Sequence, residues 1–174
     1  MLHLILTILV SMSHAQRVGE ITQEDQQRVA TRVEALRLTS ISFGPAFGSD
    51  MNNEKMFYSL HLGSHWEVTT HAEIRLNADA ALASKEEGTW LSASVGGGWL
   101  IFTDDFSPVI GAEFGYGYAH IDRISDPSGF MVGGFAGVRM FRTATAQMSL
   151  EYYIQSIMDG VNPIMNGIRI GILF

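Results

Sequence analysis

From Leu36 to Phe174 apolar side chains alternate with small or polar ones in runs of about ten residues, broken by short clusters of turn-forming residues. A period of two is strand geometry, because successive side chains point to opposite faces. The run His71 to Leu82 is the cleanest: Ala72, Ile74, Leu76, Ala78, Ala80 and Leu82 occupy one face, and His71, Glu73, Arg75, Asn77, Asp79 and Ala81 the other. Ile110, Ala112, Phe114, Tyr116 and Tyr118 alternate with Gly111, Glu113, Gly115 and Gly117. Met148, Leu150, Tyr152 and Ile154 alternate with Ser149, Glu151, Tyr153 and Gln155. The last run sets Ile168, Ile170, Ile172 and Phe174 against Gly167, Arg169, Gly171 and Leu173.

Four more runs fit the same template. They are Leu36 to Phe47, Met56 to Val68, Thr89 to Phe102, in which Leu91, Ala93, Val95 and Trp99 oppose Ser92, Ser94, Gly96 and Gly98, and Phe130 to Phe141. The first run changes phase between Leu38 and Ile41, which predicts a β-bulge or a shorter strand. Eight strands are therefore expected, each as long as a tilted strand that crosses a bilayer.

The second face decides between a soluble sheet and a membrane barrel. It is mostly Gly, Ser and Ala with isolated charges, and lacks the Lys and Glu of a solvated surface. Small residues with sparse charges of both signs suit a crowded lumen. Apolar side chains at even-numbered positions from Met56 to Phe174 are then expected to meet acyl tails. Hydrocarbon offers no hydrogen bonds, so the sheet must close on itself.

The remaining composition narrows the function. A formal net charge of −7 argues against a nucleic-acid partner. The absence of cysteine excludes a disulfide framework, a thiolate metal site and a cysteine nucleophile. Residues 1–15 read as a cleaved export signal, with an apolar core from Leu2 to Val10 and Ser13-His14-Ala15 before the cut. Residues 16–35 read as a polar leader with helical spacing, and 36–174 as the barrel.

If the first strand rises from the periplasm, Trp66, Trp99 and Phe174 fall near periplasmic strand ends and Tyr58 and Tyr118 near outer ends. That is the two-girdle pattern of interfacial aromatics. Periplasmic turns fall near Thr69-Thr70, Asp104 to Ser107 and Thr143 to Ala146. Outer loops fall at Gly48 to Glu54, Ser84 to Gly88, Asp122 to Gly129 and Asp159 to Pro163, and are expected to be somewhat longer.

The terminal segment Ile168-Arg169-Ile170-Gly171-Ile172-Leu173-Phe174 resembles the last strand of bacterial outer-membrane barrels, with a final Phe and apolar residues at every second position before it. In overall pattern the chain is similar to the small OmpA/OmpX-type barrels. That resemblance implies an all-β, eight-stranded, antiparallel up-and-down transmembrane β-barrel in the outer membrane of a Gram-negative-type bacterium. It implies outer-membrane lipid as surroundings, and the barrel-assembly machinery as a partner that reads Ile168, Ile170, Ile172 and Phe174. It further implies a lumen closed by salt bridges, for which the inward charges are Arg37, Glu73, Arg75, Asp79, Glu113, Arg139, Glu151 and Arg169.

The function expected is a non-enzymatic structural or surface-interaction role; the alternatives are a narrow channel for small solutes and a lipid-modifying enzyme. For the enzyme, His120 stands near an outer strand end with Asp122, Ser125 and Asp126 in the following loop, which supplies base, acid and nucleophile in type but not in any known spacing. No catalytic residue, cofactor or metal is assigned. His61 and His65 are about 13 Å apart on a strand, too far to share an ion. Gly96-Gly97-Gly98 lacks the Lys-Ser/Thr of a phosphate loop and reads as packing glycines.

Overall fold

The computed structural model describes residues 37–49, 54–84, 88–120, 126–142, 144–160 and 162–174, so the expected signal and leader lie outside the described residues. Eight strands follow one another: β1 Arg37–Ser49, β2 Glu54–Glu67, β3 Ala72–Ala83, β4 Thr89–Leu100, β5 Phe106–His120, β6 Ser128–Met140, β7 Gln147–Met158 and β8 Ile164–Leu173. Each pairs antiparallel with the next, and β1 pairs with β8 to close the barrel. Closure removes both sheet edges, which a wall standing in hydrocarbon requires.

Three connections, 68–71, 101–105 and 141–146, lie at the end where β1 begins and β8 finishes, here the turn end. The other four, 50–53, 84–88, 121–127 and 159–163, form the loop end. The expected contrast between long loops and short turns is absent. The strands run past the alternating segments and absorb residues such as Ser49, Ser128 and Gly129, leaving similar connections at both ends.

Facing follows the alternation. On β3, Glu73, Arg75, Asn77 and Asp79 are buried, while Ile74, Leu76, Ala78 and Leu82 are exposed. Polar inside and greasy outside is inverted relative to a water-soluble protein, and it identifies the outer wall as the lipid-facing one. The even-numbered rule, which begins at Met56, needs correction on β4, and β1 before it also turns odd numbers outward. On β4, Leu91 and Trp99 face out while Trp90, Ser92 and Ser94 face in; on β1, Ile41, Phe43 and Phe47 face out and Ser40, Ser42 and Ala46 face in. Cross-strand partners share a face. Ile41 pairs with Leu62 and Leu91 with Ala80, so these registers pair odd with even numbers and reverse the parity.

The phase change in β1 is not a bulge, since its register with β2 is unbroken from Arg37 to Ser49. Leu38 simply faces inward and packs with Leu173, forming a small apolar pair just inside the turn end. The closing seam has its own irregularity. The β1–β8 register passes over Gly44 and Pro45: proline has no N–H to give, and a Cβ on Gly44 would collide with the carbonyl oxygen of Ile168.

Replacing Leu76 or Ile170 by Lys places a charge on the lipid face near mid-strand. It should cost about 2–4 kcal/mol, read as a shifted denaturation midpoint in lipid vesicles. Gly115→Ala should fail by a different route, because its Cβ would strike the β4 backbone at Ala93. An unchanged midpoint for both lysine variants would show the facing to be wrong.

Candidate functional site

The lumen is filled in two tiers. Toward the loop end it is apolar: Phe57, Trp90, Met131, Ile157 and Met165 are fully buried, with Ala46, Ala81 and Ala119 between them. Sequence pattern did not reveal this tier. Trp90 stands among serines and glycines on the inward face of β4, where one ring does not announce an apolar layer.

The second tier is a continuous chain of opposite charges. Arg139 Nη2 lies 2.8 Å from Glu73 Oε2, and Arg75 donates from Nε to Glu73 at 2.6 Å. Arg75 also reaches Glu151 at 2.9 Å, and Glu151 accepts from Arg169 Nε at 3.2 Å. Arg169 continues to Asp79 at 3.3 Å. Gln155 then donates to both Asp79, at 3.1 Å, and Glu113, at 2.8 Å. All the expected lumen charges with described side chains are thus joined, through one amide that the sequence reading placed on the inward face but not in the network. Arg37 begins β1, and its side chain lies outside what is described.

Smaller groups and rings add to the coordination. His61 bonds Asp79 at 2.7 Å, Asn77 donates to Glu113 at 2.9 Å, and Ser40 bonds His65 at 2.8 Å. The Arg75 guanidinium lies 3.8 Å from the Phe135 ring centroid, and that of Arg169 4.6 Å from Tyr153. Charges in so dry a place need several partners each. Inward glycines make room for them: a Cβ on Gly98 would lie 2.8 Å from Glu73 Oε1, and one on Gly137 2.8 Å from Glu151 Cγ. No group of three His, Asp or Glu side chains suited to a metal ion occurs among the described residues.

An ion pair missed by the sequence reading caps the turn end. Arg142 is 1% exposed; it meets Glu67 at 3.0 Å and donates to the carbonyls of Phe102, at 2.6 Å, and Thr70, at 3.2 Å. One guanidinium thereby ties all three turns. Its inward aim depends on Phe141, whose φ of 60° is left-handed. Continued alternation from β6 would send Phe141 inward and Arg142 outward. The left-handed residue exchanges them, so Phe141 is 55% exposed and Arg142 fills the mouth.

No family model and no curated protein sequence matches the chain. Solved structures do. The Neisserial surface protein A structure aligns with TM-score 0.69 at 13% identity, covering 79% of this chain and 95% of that one. The outer membrane enzyme PagL aligns with TM-score 0.52 at 16% identity, covering 78% and 98%. The chain has the fold of the small OmpA/OmpX-type outer-membrane barrels. With its inverted facing, this outer-membrane barrel stands in lipid through the β1–β8 wall.

The girdle positions fall at strand ends on that wall. Trp66, Trp99 and Phe174 are at the turn end, where Trp99 stacks on His71 at 5.6 Å; Tyr58 and Tyr118 lie toward the loop end. Ile168, Ile170, Ile172 and Phe174 are all exposed along the outer face of β8. At the loop end of β5, His120 Nδ1 lies 2.5 Å from Asp126 Oδ1. Asp122 and Ser125, the other members of the enzyme reading, lie outside the described residues.

Arg169→Leu removes a cation shared by Glu151 and Asp79. It should destabilise the barrel by about 3–5 kcal/mol, measured by denaturant titration of the folded protein in detergent or lipid. A loss below 1 kcal/mol would mean that these charges are solvated rather than mutually paired.

Proposed function

We propose that this outer-membrane barrel is a closed, non-enzymatic element of the cell envelope with a structural or surface-interaction role. The observation that carries the reading is the occupied lumen. The charge chain from Arg139 to Glu113 crosses the interior, Arg142 and Glu67 cover one end, and the cluster around Trp90 and Phe57 fills the other. Eight-stranded interiors are only wide enough to be filled by side chains. A surface role is supported by the likeness to a protein described as a neisserial surface protein. The short connections favour the lipid-facing wall over the loops as the interacting surface.

Conductance of the purified protein in planar bilayers tests this reading. No stable open level is expected, and one that persists in the unaltered chain would replace the sealed barrel with a narrow channel. The terminal strand is the assembly signal in this proposal, read by the barrel-assembly machinery through Ile168, Ile170, Ile172 and Phe174. Removing Phe174 should lower outer-membrane yield in cells severalfold while leaving the yield of refolding into detergent nearly unchanged. Equal loss in both would make Phe174 a stability residue instead.

A second reading, lipid modification, is favoured by one observation: the His120–Asp126 hydrogen bond at the membrane-boundary end of β5. The same fold serves an enzyme in PagL. A nucleophile beside His120 is what this reading lacks among the described residues.

A further inference from the structure

The lipid-facing wall is hollowed on one side. Two adjoining depressions of about 440 and 680 Å³ run over β1 to β5 and share Leu62, Ala78 and Ala93. Ala78 and Ala93 are cross-strand partners, so two small side chains meet in the middle of the wall and form a floor. Leu60 and Leu62 bank it on one side, Phe114 and Tyr116 on the other. Across the barrel Leu150, Tyr152, Ile154, Ile168 and Ile170 project from β7 and β8.

At its loop end the trough reaches Tyr118, whose hydroxyl lies toward Asp126, the partner of His120. An apolar slot with a few polar groups at one end is the usual form of an amphiphile site. We propose that this trough binds one phospholipid with a primary-amine headgroup, an acyl chain lying over Ala78 and Ala93 and the ammonium held by Asp126, which His120 positions.

The occupant follows from position and hydrogen-bond chemistry. The trough is continuous with the lipid-facing belt, so acyl chains are the medium that covers it. A hollow left unfilled there forfeits dispersion contacts along its whole lining. Asp126 offers acceptors only, so it takes its hydrogen bond from Nδ1–H of His120. The hydrogen bond from His120 also holds the Asp126 carboxyl below the usual carboxylate range, so it is ionised at neutral pH. An anionic acceptor at the trough's end attracts a donor cation and repels a bare phosphate. A quaternary ammonium, having no N–H, can donate no hydrogen bond to it.

The test is native mass spectrometry of the full chain released from vesicles of phosphatidylcholine, phosphatidylethanolamine and phosphatidylglycerol in equal parts. One retained phosphatidylethanolamine is expected, at least tenfold over either other lipid. Ala78→Leu with Ala93→Leu should abolish retention, whereas Ala136→Leu, exposed on β6, should not. Asp126→Asn should erase the headgroup preference while a lipid is still carried. Heat-modifiable gel mobility shows that each variant is folded. Equal retention of the three lipids by the unaltered chain, or unchanged retention in the double leucine variant, overturns the site. A preference surviving Asp126→Asn overturns the headgroup assignment.

Discussion

Ion pairing inside a wall one strand thick is the interaction on which the rest of this barrel depends. The outer face has no water to solvate a charge, and the interior is too narrow to hold bulk water. Glu73, Asp79, Glu113 and Glu151 are therefore each met by donors from Arg75, Arg139, Arg169 or Gln155. Several contacts span strands distant in sequence: Glu73 meets Arg139, and Arg75 meets Glu151. The network thus cross-links the barrel as well as filling it. Glycine on the inward face leaves these side chains their space.

Much of this was legible in the sequence, and what was not has identifiable physical causes. On β3 each residue from Glu73 to Leu82 faces as the alternation requires, because nothing interrupts the pleat. On β1 and β4 parity reverses, since parity is set by register with the neighbours rather than by position in the chain. Leu38 was ambiguous because an apolar side chain suits both oil and the greasy lumen rim where it meets Leu173. Arg142 was hidden by the left-handed Phe141, a conformation that no glycine or asparagine marks. The trough was hidden for another reason: Ala78 and Ala93 are ordinary strand residues until the β3–β4 ladder sets them side by side.

The fold shared with Neisserial surface protein A and with PagL serves a surface protein in one case and an enzyme in the other, so function here must come from sites on the wall and rim. This chain's interior is filled by side chains. Its distinctive surface chemistry is concentrated where β5 leaves the bilayer, around Tyr118, His120 and Asp126.

The central claim is that one side of each strand meets oil while the other is sealed from water at both ends. Thiol accessibility along β4 tests it most directly, because the chain has no cysteine of its own. Single cysteines at Ser92, Ala93 and Ser94 in vesicles should divide by face. The one at Ala93 should collide with membrane-soluble oxygen in spin-label measurements. Those at Ser92 and Ser94 should resist both oxygen and small water-soluble thiol reagents added to either side. Rapid labelling of Ser92→Cys or Ser94→Cys by the water-soluble reagent would contradict the sealed interior, and oxygen contact at those two positions with none at Ala93→Cys would contradict the facing itself.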